Sequence, residues 1–245
     1  MADACHQVEH GMHAFQFAGV MATPVAEAHF NWLWAQHDCR NMRWSSISPA
    51  NLERQFQAIS AILSVPELSI HISTSVRMKY TNSGYLGRES QRYNRIMLQF
   101  LVPVLTEGKV LPVVLDTSNV KRALRLDRAL KWFERQWENP PITIQRINGS
   151  EAPLSQLAMF LASAFAYGAH DVAGSAAKLT FLSRLLSLLL TPSPRRPVVS
   201  VPEEHLRDQL LEVNRALKSL QPAPPPTITV KPRQRLSLAK TPALS

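Results

Sequence analysis

The stretch KVLPVVLDTSN, residues 109–119, runs through apolar residues from Val110 to Leu115, meets one carboxylate, Asp116, and then turns. A short apolar run closed by turn residues is the pattern of a buried strand. Acids at the ends of core strands are where α/β folds place metal ligands and catalytic groups. They are equally common as turn and helix-entry residues. Alone, Asp116 fits both descriptions, so its neighbours along the chain must decide.

The flanks of this strand are helical in pattern. A helix is expected from about Arg88 to Thr106, turned by Glu107-Gly108 into the quoted strand. After Asp116, KRALRLDRALKWFERQW (121–137) sets Leu126, Leu130, Phe133 and Trp137 on one face and Lys121, Arg125, Arg128 and Arg135 on the other. Pro140-Pro141 ends that helix, and ITIQRI (142–147) reads as another strand. Further upstream, HAFQFAGVMA (13–22) reads as a strand. Pro24 to Asp38 reads as a helix with apolar Val25, Phe30, Leu33 and Trp34. Ser48 is placed to cap PANLERQFQAISAIL, with Pro49 at its first position and Leu52, Phe56, Ile59 and Leu63 as its stripe. LSIHISTS (68–75) alternates with period two, as a half-buried strand does, and Gly84 and Gly87 mark a loop.

Strands alternating with helices predict an α/β domain over residues 1–190. Its last helices are APLSQLAMFLASAFAYGA (152–169), which carries no charge, and AKLTFLSRLLSLLL. The first is about as long as a membrane span. Its Ser155, Gln156, Ser163 and Tyr167, and its place after a soluble-type pattern, make it a buried core helix. Residues 191–202 form a Pro-rich linker, and 203–220 an amphipathic helix with Leu206, Leu210, Val213 and Leu217 on its stripe. Residues 221–245, rich in proline and basic side chains, are expected to be a disordered basic tail.

The chain of 245 residues carries 27 Lys+Arg against 18 Asp+Glu, a formal net charge of +9, which suits a polyanionic partner. Two cysteines, Cys5 and Cys39, are too few for a disulfide framework. With no basic segment leading into an apolar run at the N-terminus, a reducing, cytoplasmic setting is expected, without membrane attachment.

Two basic stripes stand out: Arg88, Arg92 and Arg95, and Lys121, Arg125 and Arg128, each at i, i+4, i+7. Such faces can follow a phosphate backbone. They also serve as ordinary solvated helix faces. Cys5, His6, His10 and His13 lack a second ligand pair at structural-zinc spacing and read as a flexible terminus with scattered histidines. Trp32-Leu33-Trp34 reads as core or interface filler. No nucleophile elbow, phosphate-binding loop or dinucleotide fingerprint occurs.

The order of FQFAGVMA, NMRWSSIS…LERQFQAI, VLPVVLD and SEAPLSQLAMFLASAF resembles the family called domain of unknown function 3800, over roughly residues 3–173. That family is similar to RNase H-like nucleases. The resemblance implies an RNase H-like mixed sheet flanked by helices. It also implies an acidic set drawn from an Asp-Glu-Ser-Gly opening strand, a Glu-x-Lys-Trp element, a strand ending in Asp, and a closing Leu-Gln-Leu-Ala-Asp helix.

In this sequence the acids mostly vanish. Asp3 lies at a suitable distance for the opening motif, but no strand is expected around it and the Glu and Gly are absent. Asn41 and Arg43 stand for Glu and Lys, while Trp44 matches. Asp116 matches, as do Gln156, Leu157 and Ala158, but Met159 replaces the last Asp. Glu151, eight residues before Met159, is poorly placed to substitute.

Two-metal hydrolysis needs several carboxylates around cations about 4 Å apart. The expectation is therefore a degenerate member with Asp116 as a vestigial catalytic residue. It would bind nucleic acid through the six basic residues and need no cofactor. The alternatives are a surviving magnesium-dependent phosphodiesterase using Asp116 with Asp3 or Glu151, and a protein adaptor acting through residues 203–245.

Overall fold

The structure, a computed structural model, describes residues 2–9, 12–72, 76–79, 111–116, 135, 142–147, 152–170, 175–191, 198–199 and 203–220. The expected helices over 88–106 and 121–137 lie outside the described residues except for Arg135, which is helical and exposed. The loop at Gly84 and Gly87 and the 221–245 tail also lie outside them.

The strands are β1 (Ala2–Glu9), β2 (Met12–Ala22), β3 (Leu68–Ile72), β4 (Val76–Lys79), β5 (Leu111–Asp116), β6 (Ile142–Ile147) and β7 (Val198–Val199). They join in one sheet ordered β6-β5-β1-β2-β3-β7, with β4 also beside β2. β2 is the organising strand. It pairs antiparallel with β1 from Ala2↔Gly19 to Glu9↔Met12. Its C-terminal half pairs antiparallel with β3 and its N-terminal part with β4. β5 joins the far side of β1 in parallel, and β6 joins β5 in parallel from Leu111↔Ile142 to Asp116↔Ile147. The result is a mixed α/β architecture.

Two expectations need correction. Residues 2–9 are a strand rather than a flexible terminus, with Cys5 opposite Gln16 and His6 opposite Phe15. ADACHQVE has one β-branched residue, so propensity alone gives little strand signal. Eight successive cross-strand pairs to the long β2 supply the stabilisation that propensity lacks. Further on, the 191–202 segment is not purely a linker, since Val198 and Val199 pair in parallel with Ser69 and Ile70.

The core lies on one face of this sheet. Ala18 and Val20 of β2 and Leu68, Ile70 and Ile72 of β3 are buried, whereas the intervening Ser69 and His71 are half-buried. This is the alternation that the sequence of β3 predicts. The helices are α1 (Pro24–Gln36), α2 (Leu52–Ile62), α3 (Pro153–His170), α4 (Ala176–Leu190) and α5 (Glu203–Ser219). α3 lies against β1 and β2, α2 packs on α4, and α5 lies along α4.

Local chemistry fixes the helix starts. Thr23 accepts at its Oγ1 from the Ala26 amide (3.3 Å) and donates to Glu67 (2.6 Å), tying the entry of α1 to the turn before β3. α2 begins later than a Ser48 cap predicts. Asn51 accepts the Ser48 amide on Oδ1 (2.9 Å), which closes a turn over 48–51 and leaves Leu52 as the first helical residue. Its stripe holds as expected, with Leu52, Ile59 and Leu63 buried and Phe56 half-buried. In α1 the inward residues are Ala26, Phe30 and Trp34, and Leu33 is half-buried. Val25 is exposed because five residues from Phe30 is about 140° around a helix.

Trp44 anchors the middle of the core. Its indole makes edge contacts with Phe160 (5.8 Å), Tyr167 (5.3 Å) and Phe181 (5.9 Å), and Phe181 also meets Phe56 at 5.6 Å. Edge-to-face aromatic pairs of this kind add about 0.5–1.5 kcal/mol each beyond their burial. At the rim, Arg184 of α4 lies 4.1 Å above the Phe56 ring and bonds Glu53, joining α4 to α2. That guanidinium holds the Glu53 carboxyl below its usual range.

The amphipathic helix of 203–220 belongs to this core. Leu206 and Val213 of α5 are buried with the other core side chains. Asn214 accepts from Ser183 of α4 (2.7 Å), and Gln209 donates to the Phe165 carbonyl of α3 (3.1 Å). No helix among the described residues is long and apolar enough to cross a membrane. The uncharged 152–169 stretch is α3, with Leu157, Ala158, Leu161 and Ala164 fully buried.

Candidate functional site

The sheet brings two acids into neighbouring strands. β1 and β5 run parallel with Ala2 opposite Leu115. Asp3 is the next residue of β1, and Asp116 is the next and last residue of β5. Adjacent strands lie about 4.8 Å apart, so the two aspartates occupy neighbouring backbone positions. Asp3 is also opposite Ala18 of β2, and Asp116 is opposite Ile147 of β6. The expectation that no strand surrounds Asp3 is therefore wrong, for the same pairing reason that overturns the flexible terminus.

α3 lies against β1 and β2 and carries the third element of the candidate site. Leu157 and Ala158 are fully buried and Met159 is half-buried, so a flexible thioether stands at this position of the helix. The 39–46 segment reaches α3 through the Trp44–Phe160 contact, one residue beyond Met159. Within this segment Trp44 is buried, whereas Asn41 and Arg43 are exposed. Its tryptophan thus serves packing, and its polar residues face solvent.

Nearby, Cys39 opens the 3₁₀ turn of residues 39–41 and is buried. Burial pushes its thiol up to about 11, and the Asp38 carboxylate adds to the shift against the opposing Arg54 charge. At neutral pH the group stays a thiol, which is neither a nucleophile nor a ready metal ligand.

Among the described residues no group of three or more His, Cys, Asp or Glu side chains is arranged to hold a metal ion. Asp3 and Asp116 together could supply carboxylate oxygens to a magnesium ion, which accepts one or two such groups when substrate phosphates complete its shell. Asn41 offers only a neutral amide and Met159 only a weakly donating sulfur.

The six basic residues expected to contact phosphate, Arg88, Arg92, Arg95, Lys121, Arg125 and Arg128, lie outside the described residues, as do His10 and Glu151. The element that sequence reasoning missed is β1. The available signal was positional. Glu9 pairs with Met12 across His10-Gly11, a two-residue spacing with glycine second, which is a hairpin pattern.

No family model, no curated protein and no solved structure matches the chain significantly.

Proposed function

We propose that the chain is an RNase H-like α/β domain with a reduced acidic site that binds nucleic acid without efficient hydrolysis. One observation carries this reading. The opening strand, with Asp3, lies beside the strand that ends in Asp116, and α3 with Met159 covers the same part of the sheet. These are the elements from which the family resemblance draws its acids, assembled here with two carboxylates instead of a full set. Neutral Asn41 and Met159 leave the charge of paired cations largely uncompensated, which disfavours two-metal chemistry. The cationic excess of the chain and the two basic stripes supply the attraction to phosphates.

Filter binding with single- and double-stranded DNA and RNA tests the proposal, run with wild-type protein and an Arg92→Glu/Arg125→Glu variant. Retention by the wild type and weakened retention by the variant are expected. Equal retention of the two proteins removes the role of the stripes, and no retention of any nucleic acid removes the function.

A second reading is favoured by the Asp3–Asp116 adjacency itself: a residual magnesium-dependent phosphodiesterase. The metal would activate a water for attack on phosphorus, and Asp3 and Asp116 would hold it. Cleavage that requires magnesium or manganese and disappears in Asp116→Asn would establish it in place of the binding role. An adaptor acting through the 203–220 helix is less well supported, because Leu206 and Val213 are already buried in this chain's own core.

A further inference from the structure

We propose that the outward face of α1 is a self-association surface on which a second copy of this chain docks its own α1 in antiparallel orientation. α1 is apolar on two sides. Ala26, Phe30 and Trp34 face the core. On the other side Val25 is 79% exposed and Trp32 60% exposed, with Ala28, His29 and Ala35 exposed alongside them. Seven residues apart on a helix is within about 20° of the same direction, so Val25 and Trp32 form one stripe. His29 packs against Trp32 with ring centroids 6.1 Å apart, which limits the indole's freedom before any partner arrives. A helix apolar around its circumference belongs in an interior, and here the outer half has no cover from its own chain.

The chemistry of the stripe selects the occupant. Val25, Ala28, His29, Trp32, Ala35 and Gln36 include no Lys or Arg, so a polyanion finds no cation along it. An identical stripe meets no repulsion, and antiparallel packing sets the helix dipoles head to tail. One register satisfies size and charge together. With Trp32 of each chain over the small Ala35 of the other, Glu27 in the first turn falls beside the other copy's Arg40, just past the helix end. Glu27 and Arg40 are both exposed and available for this pairing. A helix of 13 residues is about 20 Å long and presents a few hundred Å². A stable dimer takes about 800 Å² from each partner, so this association is weak and concentration-dependent. It is independent of the nucleic-acid reading.

Sedimentation velocity of the full chain over a micromolar to near-millimolar series is the test, with far-UV circular dichroism confirming that each variant folds. The wild type should shift from monomer to dimer. Trp32→Ala should weaken the dimer by about tenfold or more. Glu27→Lys should weaken it too, and adding Arg40→Glu to Glu27→Lys should restore it. A monomer throughout the series overturns the proposal, as does a dimer unaffected by Trp32→Ala. Quenching of Trp32 emission by oligothymidylate, with the protein still monomeric, would overturn it in favour of base stacking.

Discussion

Asp3 and Asp116 each follow by one residue a paired position, Ala2 opposite Leu115, on neighbouring parallel strands. A chain whose other expected acid positions hold Asn41 and Met159 thus retains two carboxylates in adjacent places. Two acids held close repel a phosphate backbone unless a cation or the surrounding basic residues offset them. Asp116→Asn should therefore leave nucleic-acid affinity unchanged or raise it by a few-fold, with no loss of magnesium-dependent cleavage because little exists to lose. Gel-based cleavage and filter binding on the same samples check this. A cleavage activity that vanishes in the variant would replace the binding account with the enzymatic one.

The Cys39 thiol gives a pH signature. Its value in the folded chain is raised from 9.0 to about 11 by burial, so between these values the folded state keeps a proton that the unfolded state has released. Stability is full below about pH 9 and declines as pH rises towards 11, by up to about 2–3 kcal/mol from this group. Urea unfolding at pH 8, 9 and 10 should show that decline, and Cys39→Ala should flatten it. The same burial should make Cys39 react slowly with alkylating reagents until the chain is unfolded.

Ser155 is fully buried near the start of α3, and its hydroxyl has no hydrogen-bond partner. Leaving such a group unsatisfied costs about 1–3 kcal/mol. Ser155→Ala removes the hydroxyl with almost no change of shape and should raise stability by about 1 kcal/mol. A clear loss of stability in thermal or urea unfolding would mean that the hydroxyl has a partner.

Val213 on α5 is completely buried against the core. Val213→Asp should cost about 3 kcal/mol or more, since a charge would enter an apolar contact. Exposed Leu211 on the same helix provides the control: Leu211→Asp should change stability by about 0.5 kcal/mol or less. Equal effects at the two positions would show that α5 is not part of the fold in solution.

Sequence patterns with one strong period were legible, and those that depended on distant partners were not. LSIHI alternates and is buried in alternation, and the Leu206 and Val213 stripe of α5 is inward as its spacing requires. β1 was hidden because its residues favour no particular conformation and its stability comes from the ladder with β2. Val25 misled because an apolar residue off the inward arc is indistinguishable by composition from one on it. Asp116 was readable as a strand end. That Asp3 lies beside it depends on a pairing between residues more than a hundred positions apart, which no local pattern encodes.

The central claim is electrostatic recognition of a phosphate backbone, and its most direct test is the salt dependence of binding. Fluorescence anisotropy with a labelled duplex between about 50 and 300 mM KCl should give a straight line of log affinity against log salt. If the six basic residues each neutralise one phosphate, its slope should be about −5. Replacing Lys121 and Arg128 with Glu should flatten that slope. Absence of binding at the lowest salt, or affinity indifferent to salt, would contradict the account.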